Sequence, residues 1–172
     1  MTFLELCKKR YSCRKYSDKL LEKEKLDQIL AAAQAAPSAH NQQPWKIYVL
    51  QGKEWMEKID GVTPCRYGAG TVLAFAYSKD EEWVNNREEI LYPSGQIDVS
   101  IMATQAILQA AELDVDSTWV MDFDFEGCKK VLGLPEDEQM VLLMPLGYAA
   151  EDCQPAPVHV VRKPLDAFVS YL

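Results

Sequence analysis

Ala36-Pro37-Ser38-Ala39-His40-Asn41-Gln42-Gln43-Pro44-Trp45 is the stretch on which the reading of this chain turns. Between its two prolines it is polar and carries the apolar period of neither a helix nor a strand, so it is a loop. Ahead of it, Leu26, Ile29, Leu30 and Ala33 recur at i, i+3, i+4 and i+7, which predicts a helix from about Leu21 to Ala36 that Pro37 stops. Behind it, Trp45-Lys46-Ile47-Tyr48-Val49-Leu50 has β-type residues in partial alternation, and Gln51-Gly52-Lys53 ends the strand.

Toward the N-terminus, Thr2 and Glu5 have the spacing of a capping box and predict a short opening helix, with Lys8, Lys9 and Arg10 in its last turn, where cations complement the helix dipole. Arg10-Tyr11-Ser12-Cys13-Arg14 follows at once. Two guanidiniums four residues apart with a hydroxyl between them can fork onto a phosphate and add a neutral hydrogen bond to a ring edge or sugar. Taken alone, the pentapeptide reads as a solvated basic turn. Toward the C-terminus, Thr71 to Tyr77 is an apolar run of strand length, buried on both faces, and Asp80 to Tyr92 is a charged helical or loop excursion. Ile97, Ile101, Thr104, Leu108 and Ala111 repeat with small alanines between them and predict the longest helix, from Ser94 to Leu113, buried on more than one side. One of those sides could be another subunit. Ser117 to Met121 is a third strand candidate, Gly127 to Leu132 a short helix, and Met140 to Leu146 a fourth strand. The tail from Val158 to Leu172 is too long to hang loose unless it packs on something.

The 172 residues allow one domain spanning 1–172. Composition is that of a globular protein, with 48% apolar and 26% charged residues and a mean hydropathy of −0.20. With 18 cations against 26 acids, the net charge of −8 repels a polyanion, so no nucleic-acid partner is expected. An anionic ligand would need a local cationic cluster working against that field. No apolar stretch approaches the roughly 20 residues a membrane span needs. Glu5 follows the N-terminus with no basic segment and apolar run of a signal peptide, so the expected location is cytoplasmic. Five irregularly spaced cysteines without C-x-x-C suggest neither a disulfide framework nor a metal site. Dinucleotide, P-loop, zincin and nucleophile-elbow signatures are missing, and nothing near His40 or His159 supplies the orienting carboxylate of a triad. No residue is singled out as catalytic.

The basic pentapeptide and the proline-bounded loop together closely resemble the nitroreductase-like flavoproteins. The likeness continues through the alanine-rich helix, Ser117-Thr118-Trp119-Val120, Leu132-Gly133-Leu134-Pro135, Pro145-Leu146-Gly147-Tyr148 and Arg162-Lys163-Pro164-Leu165, in the family's order. It implies an α+β three-layer fold, a mainly antiparallel central sheet flanked by helices, in a homodimer with FMN sites at the subunit interface. By the same resemblance Arg10, Arg14 and Arg162 would clamp the FMN phosphate, Tyr11 would belong to the cofactor-binding stretch, and Ser12 would touch the polar edge of the flavin or ribityl chain. Pro37, Ser38 and Ala39 of the partner would lie against the ring, where bulk would collide, with Asn41 at the pyrimidine edge. The N–H groups of Met121 and Asp122 would face flavin N5, although many relatives carry glycine near Met121. Relatives also have a glycine turn after the long helix, where Asp114 would take the strained conformation here. The implied activity is hydride transfer from NADH or NADPH to FMN and onward to a small-molecule electron acceptor, a nitroaromatic, quinone or similar electrophile, in a ping-pong cycle. Alternatives are an FMN store or sensor with little turnover, or a variant performing dehydrogenation or dehalogenation. Trp45 and Trp119 read as core, and Trp83 as local packing or a roof over the substrate space.

Overall fold

The computed structural model describes residues 1–87 and 89–172. The chain runs α1 (Phe3–Lys9), α2 (Lys23–Gln34), β1 (Trp45–Gln51), α3 (Lys53–Asp60), β2 (Thr71–Ser78), β3 (Val84–Asn85), β4 (Tyr92–Pro93), α4 (Gly95–Glu112), β5 (Asp116–Ser117), α5 (Phe125–Leu132) and β6 (Glu138–Gly147). Single 3-10 turns lie at Ala39–Asn41, Pro157–Val160 and Leu165–Ala167. The main sheet has the order β1-β2-β6-β5, and every neighbouring pair is antiparallel.

The two-residue period of β2 sorts its side chains into two cores. Leu73 and Phe75 join Leu26 and Ile29 of α2 and Val99 and Met102 of α4 on one face, while Val72, Ala74 and Ala76 join Met56 and Ile59 of α3 and Cys128 of α5 on the other. Helices therefore cover both faces, which gives the three-layer α+β architecture that the family resemblance implied. Phe75 is fully buried, so truncating it to alanine would cost about 3–5 kcal/mol. A bulge adjusts β6 to this sandwich. Phe75 pairs with Leu142 but Ala76 with Met140, so Val141 is the extra residue; it joins Leu142 on the α2/α4 side while Met140 falls to the opposite core.

Several elements differ from the sequence reading; α5 and β6, for instance, each begin two residues before the expected Gly127 and Met140. The second helix starts at Lys23 and ends at Gln34, inside the expected Leu21–Ala36, because Glu22 is an extended N-cap and the residue before Pro37 is disfavoured in helix. The third strand shrinks from Ser117–Met121 to Asp116–Ser117. Thr118 N–H donates to the Pro145 carbonyl at 3.2 Å, but Pro145 has no N–H to return, and pairing in the same register resumes only at Val120 with Leu143. The helical or loop excursion expected from Asp80 to Tyr92 has no helix among its described residues and carries β3 and the first residue of β4; Glu88, within it, lies outside the described residues. Finally, the basic pentapeptide is extended rather than a turn. The opening helix keeps its capping box, with Thr2 Oγ1 accepting from Glu5 N–H at 3.2 Å and Glu5 Oε2 accepting from Thr2 N–H at 2.6 Å.

Candidate functional site

Past α1 the chain extends and adds itself to the sheet edge: Ser12 bridges Ser117 in parallel, and Cys13 N–H donates to the Ser117 carbonyl at 3.0 Å. The Thr118 hydroxyl closes onto the Cys13 carbonyl, and the buried Tyr16 hydroxyl donates to the Pro145 carbonyl at 3.1 Å. In an extended segment alternate residues share a side, so the R-x-S-x-R spacing puts Arg10, Ser12 and Arg14 together. They line a cavity of about 190 Å³ with Ala156, Val158, His159 and Arg162 from the tail. Tyr11 and Cys13 alternate to the other side and pack with Tyr16 and Ala69. The structure therefore places Tyr11 outside the arginine cavity, in the adjoining one with Lys9, Asp116 and Ser117.

No carboxylate lines the arginine cavity, and among the described residues none pairs with Arg10, Arg14 or Arg162. Burial, and after it the positive charge of Arg162, push the Arg10 pKa down. Arg162 is aimed by its own backbone, donating through Nη1 to the Val161 carbonyl at 2.8 Å and to that of His159. His159 anchors this turn, with Nε2 3.2 Å from the Lys8 carbonyl oxygen and its ring edge-on to Tyr11. Tyr67 stands beside Arg14: a hydrogen bond with Cys65, then burial, raise its pKa, while Arg14 pulls the other way. Unneutralised like charges in one cavity repel until an anion fills it.

The proline-bounded loop is held at the opposite end of α4. Asp98, 2% exposed, accepts from Ala39 N–H at 2.9 Å and from the Ser94 hydroxyl at 2.7 Å. Ser38 Oγ accepts from Gln43 N–H at 3.0 Å, and His40, Asn41 and Gln43 all take positive φ. His40 stacks on Trp83 at 4.9 Å between centroids. The Pro37, Ser38, Ala39 and Asn41 set is thus gathered in one presented loop, with Pro37 and Asn41 exposed. It is not brought to the arginines. Lys9, next to Arg10, donates to the Ala111 carbonyl near the other end of α4, and Asp98 and Ala111 lie about 20 Å apart along the axis at 1.5 Å per residue.

Met121 is 49% exposed, and among the described residues the N–H groups of Met121 and Asp122 make no hydrogen bond. The peptide is fixed from behind, as the Thr63 hydroxyl donates to the Asp122 carbonyl at 2.6 Å and Asp124 N–H to the Val62 carbonyl at 2.9 Å. Asp114 has φ 55°, the strained turn expected after the long helix, and its carboxylate pairs with Lys9. Sequence reasoning missed Asp98, Thr63, Tyr67 and His159. Asp98 carried one readable signal, as the only charged residue of α4 before Glu112.

An α+β protein with helices on both sheet faces, an acid-free arginine cavity and a separately anchored loop is the class these observations define. The sequence pattern of the Nitroreductase family matches residues 7–65 and 62–148, and the chain belongs to that family. A curated relative from Methanothermobacter thermautotrophicus, named for two candidate activities, NADH dehydrogenase and NAD(P)H nitroreductase, is 31% identical over 166 residues, covering 88% of this chain and 80% of the relative. The crystal structure of a nitroreductase family protein from Clostridium difficile 630 has a TM-score of 0.92 at 34% identity, over 99% of this chain and 98% of that one. A candidate nitroreductase of Exiguobacterium sibiricum, crystallised in complex with FMN, has a TM-score of 0.84 at 20% identity, over 100% and 98% of the two chains.

Proposed function

We propose that this protein is an FMN-dependent oxidoreductase that takes hydride from NADH or NADPH and passes electrons to nitroaromatics, quinones or similar conjugated electrophiles. The observation that carries the reading is the acid-free cavity holding Arg10, Arg14 and Arg162, in a protein of net charge −8. Three guanidiniums match a phosphomonoester of about −1.5 to −2 charge. When bound, FMN supplies a ring that accepts hydride at N5 and stores two electrons.

The chain's own residues do the positioning. Arg10, Arg14 and Arg162 hold the phosphate, and Ser12, on the same side of the strand, offers its hydroxyl to the polar edge of the ribityl chain or ring. The free N–H groups of Met121 and Asp122 would serve as donors toward N5 and so favour the reduced, anionic ring. Pro37, Ser38, Ala39 and Asn41 reach the ring from a second copy, because one α4 holds its own loop and its own arginines at opposite ends. Unburied apolar side chains support a homodimer: Ile97 and Ile101 on α4, Phe3 and Leu4 on α1, and Val160, Phe168 and Tyr171 on the tail are all exposed in one chain. The nicotinamide product leaves before the acceptor enters the same space, which makes the cycle ping-pong. The described residues contain no helix long and apolar enough to cross a membrane, in keeping with the expected cytoplasmic location.

Anaerobic addition of NADPH or NADH to FMN-loaded protein tests the reading. Rapid loss of the oxidised flavin absorbance, restored by a quinone or nitroaromatic with turnover, is the expected result. A flavin that is photoreducible but untouched by either nicotinamide would identify a binding or storage protein instead.

A further inference from the structure

Two cysteines that the proposed chemistry does not use lie together where the tail leaves the sheet. Cys13 Sγ and Cys153 Sγ are 3.7 Å apart, the contact distance of two reduced sulfurs, and Cys13 is fully buried while Cys153 is half-buried. Backbone pairing imposes the approach. Ser17 N–H donates to the Tyr148 carbonyl at 2.8 Å, Tyr16 bridges Ala149 in antiparallel fashion, and Ala150 N–H donates to the Lys15 carbonyl at 3.0 Å. Lys15 pairs with Asp152, and Cys153 N–H turns back to the Ala150 carbonyl at 2.9 Å. Continued along this register, Cys13 would stand opposite Asp152; the turn from Ala150 to Cys153 breaks the pairing and brings the Cys153 sulfur onto Cys13. The flanking Tyr16, Ala69 and Ala149 exclude water from the inner sulfur. Among the described residues no other two cysteine sulfurs touch.

We propose that Cys13 and Cys153 form a reversible intrachain disulfide, a redox modification site that staples the root of the C-terminal tail to the strand carrying Ser12 and Arg14. The oxidant is hydrogen peroxide. The accessible Cys153 thiolate attacks one peroxide oxygen, the O–O bond breaks, and the released hydroxide takes up a proton, leaving a sulfenic acid and water. The Cys13 sulfur then attacks the Cys153 sulfur, the S–O bond breaks, and hydroxide departs with the Cys13 proton as a second water. Two thiols and one peroxide thus give one disulfide and two waters, and an external thiol reverses the step by exchange. Burial holds the Cys13 thiol up to about 12, which suits it to the resolving role and leaves first attack to Cys153. The staple matters because the tail delivers Ala156, Val158, His159 and Arg162 to the arginine cavity. With Cys153 free to part from Cys13, that wall can peel away; with the bond made, it cannot.

The test uses the full chain, treated with hydrogen peroxide, blocked with an alkylating agent and mapped by peptide mass spectrometry without reduction. The expected product is a linked pair of peptides containing Cys13 and Cys153, with a mass loss of about 2 Da for the two hydrogens removed. Titratable thiols in the denatured chain fall by two from five and return with dithiothreitol. Limited proteolysis of residues 154–163 should slow on oxidation of the wild type and not of Cys153→Ser, whose partly exposed position preserves the fold. Peroxide that drives Cys153 to the sulfinic acid with no link, or a link through Cys7, Cys65 or Cys128 or between two copies, overturns the proposal. A Cys13–Cys153 link that leaves the proteolysis rate unchanged overturns the staple. Mapping needs no flavin, so a failure here is separable from a failure of the oxidoreductase reading.

Discussion

The two ends of α4 hold their candidate site residues by opposite means. At the C-terminal end Arg10, Ser12 and Arg14 sit on a strand that the sheet edge, Thr118 and Tyr16 fix through the backbone, so the side chains stay free for a ligand. At the N-terminal end only the last residue of the loop meets a strand, Pro44 accepting from Ser78 N–H at 2.8 Å, and the stretch before it is held by the buried carboxylate of Asp98 and the His40–Trp83 stack. Loss of side chains at the first end should therefore damage binding and spare folding. At the second end it should damage folding of the loop first.

The sharpest way to break this contrast is the double change Arg10→Ala with Arg14→Ala. Charge-assisted hydrogen bonds are worth about 1.5–3 kcal/mol each, so losing two should weaken FMN binding by roughly 10² to 10⁴. The purified protein should be colourless, and its thermal midpoint, once both proteins are stripped of flavin, should match the wild type within about 3 °C, the range of neutral surface substitutions. Stoichiometric flavin in the double variant would put the phosphate elsewhere.

Asp98→Ala probes the other end. It strands the Ala39 N–H and the Ser94 hydroxyl, two groups each costing about 1–3 kcal/mol when buried without a partner. Urea unfolding should show a loss of about 2–4 kcal/mol. Asp98→Asn, which keeps one acceptor oxygen, should recover part of it. Equal stability in all three proteins would mean that the loop does not depend on this carboxylate.

This asymmetry also explains what the sequence disclosed. The grouping of Arg10, Ser12 and Arg14 was legible because the spacing of two is the period of an extended chain, which sets all three on one side. The loop was legible from Pro37 and Pro44, which act locally on the backbone. What holds that loop was not legible: the hydrogen bond from Ala39 to Asp98 spans 59 positions, and no local pattern announces it. The same is true of Thr63, whose hydroxyl meets a carbonyl equally remote in the chain. Strand boundaries failed where one atom decided them, as with the N–H that Pro145 lacks. Tyr11 parts from the arginines by parity. Its neighbours along the chain alternate to the arginine side, and a reading by motif takes the whole pentapeptide.

Thr63→Val separates positioning from binding in the Met121–Asp122 segment. The substitution keeps the shape but removes a hydroxyl that donates to the Asp122 carbonyl and accepts from Cys65 N–H at 3.0 Å. One such buried bond is worth about 1 kcal/mol net, so the rate of hydride acceptance should fall about fivefold to tenfold while the FMN dissociation constant stays within about twofold. Thr63→Ser should restore the rate. A rate unchanged in the valine variant would show that the free N–H groups need no support from behind.

The smallest effect is a pH dependence near the arginine end, where α2 begins against the end of β6. The Tyr148 hydroxyl donates to Glu22 and Lys19 Nζ lies 3.4 Å from the same carboxylate, which hold the Glu22 pKa down at about 2 against an ordinary 4.5. The folded state therefore binds this proton less readily than the unfolded state. The contribution to stability is fully present above about pH 4.5, declines as the pH falls toward 2, and is absent below it. Because the carboxylate faces solvent, the contribution is small and screened by salt. Glu22→Gln should thus lie slightly below the wild type in urea midpoint at pH 7, converge with it as the pH falls through that window, and approach it in 1 M salt at any pH. A midpoint difference that is the same at pH 7 and pH 2.5 would assign the effect to packing of Tyr148 on the helix start, with charge playing no part.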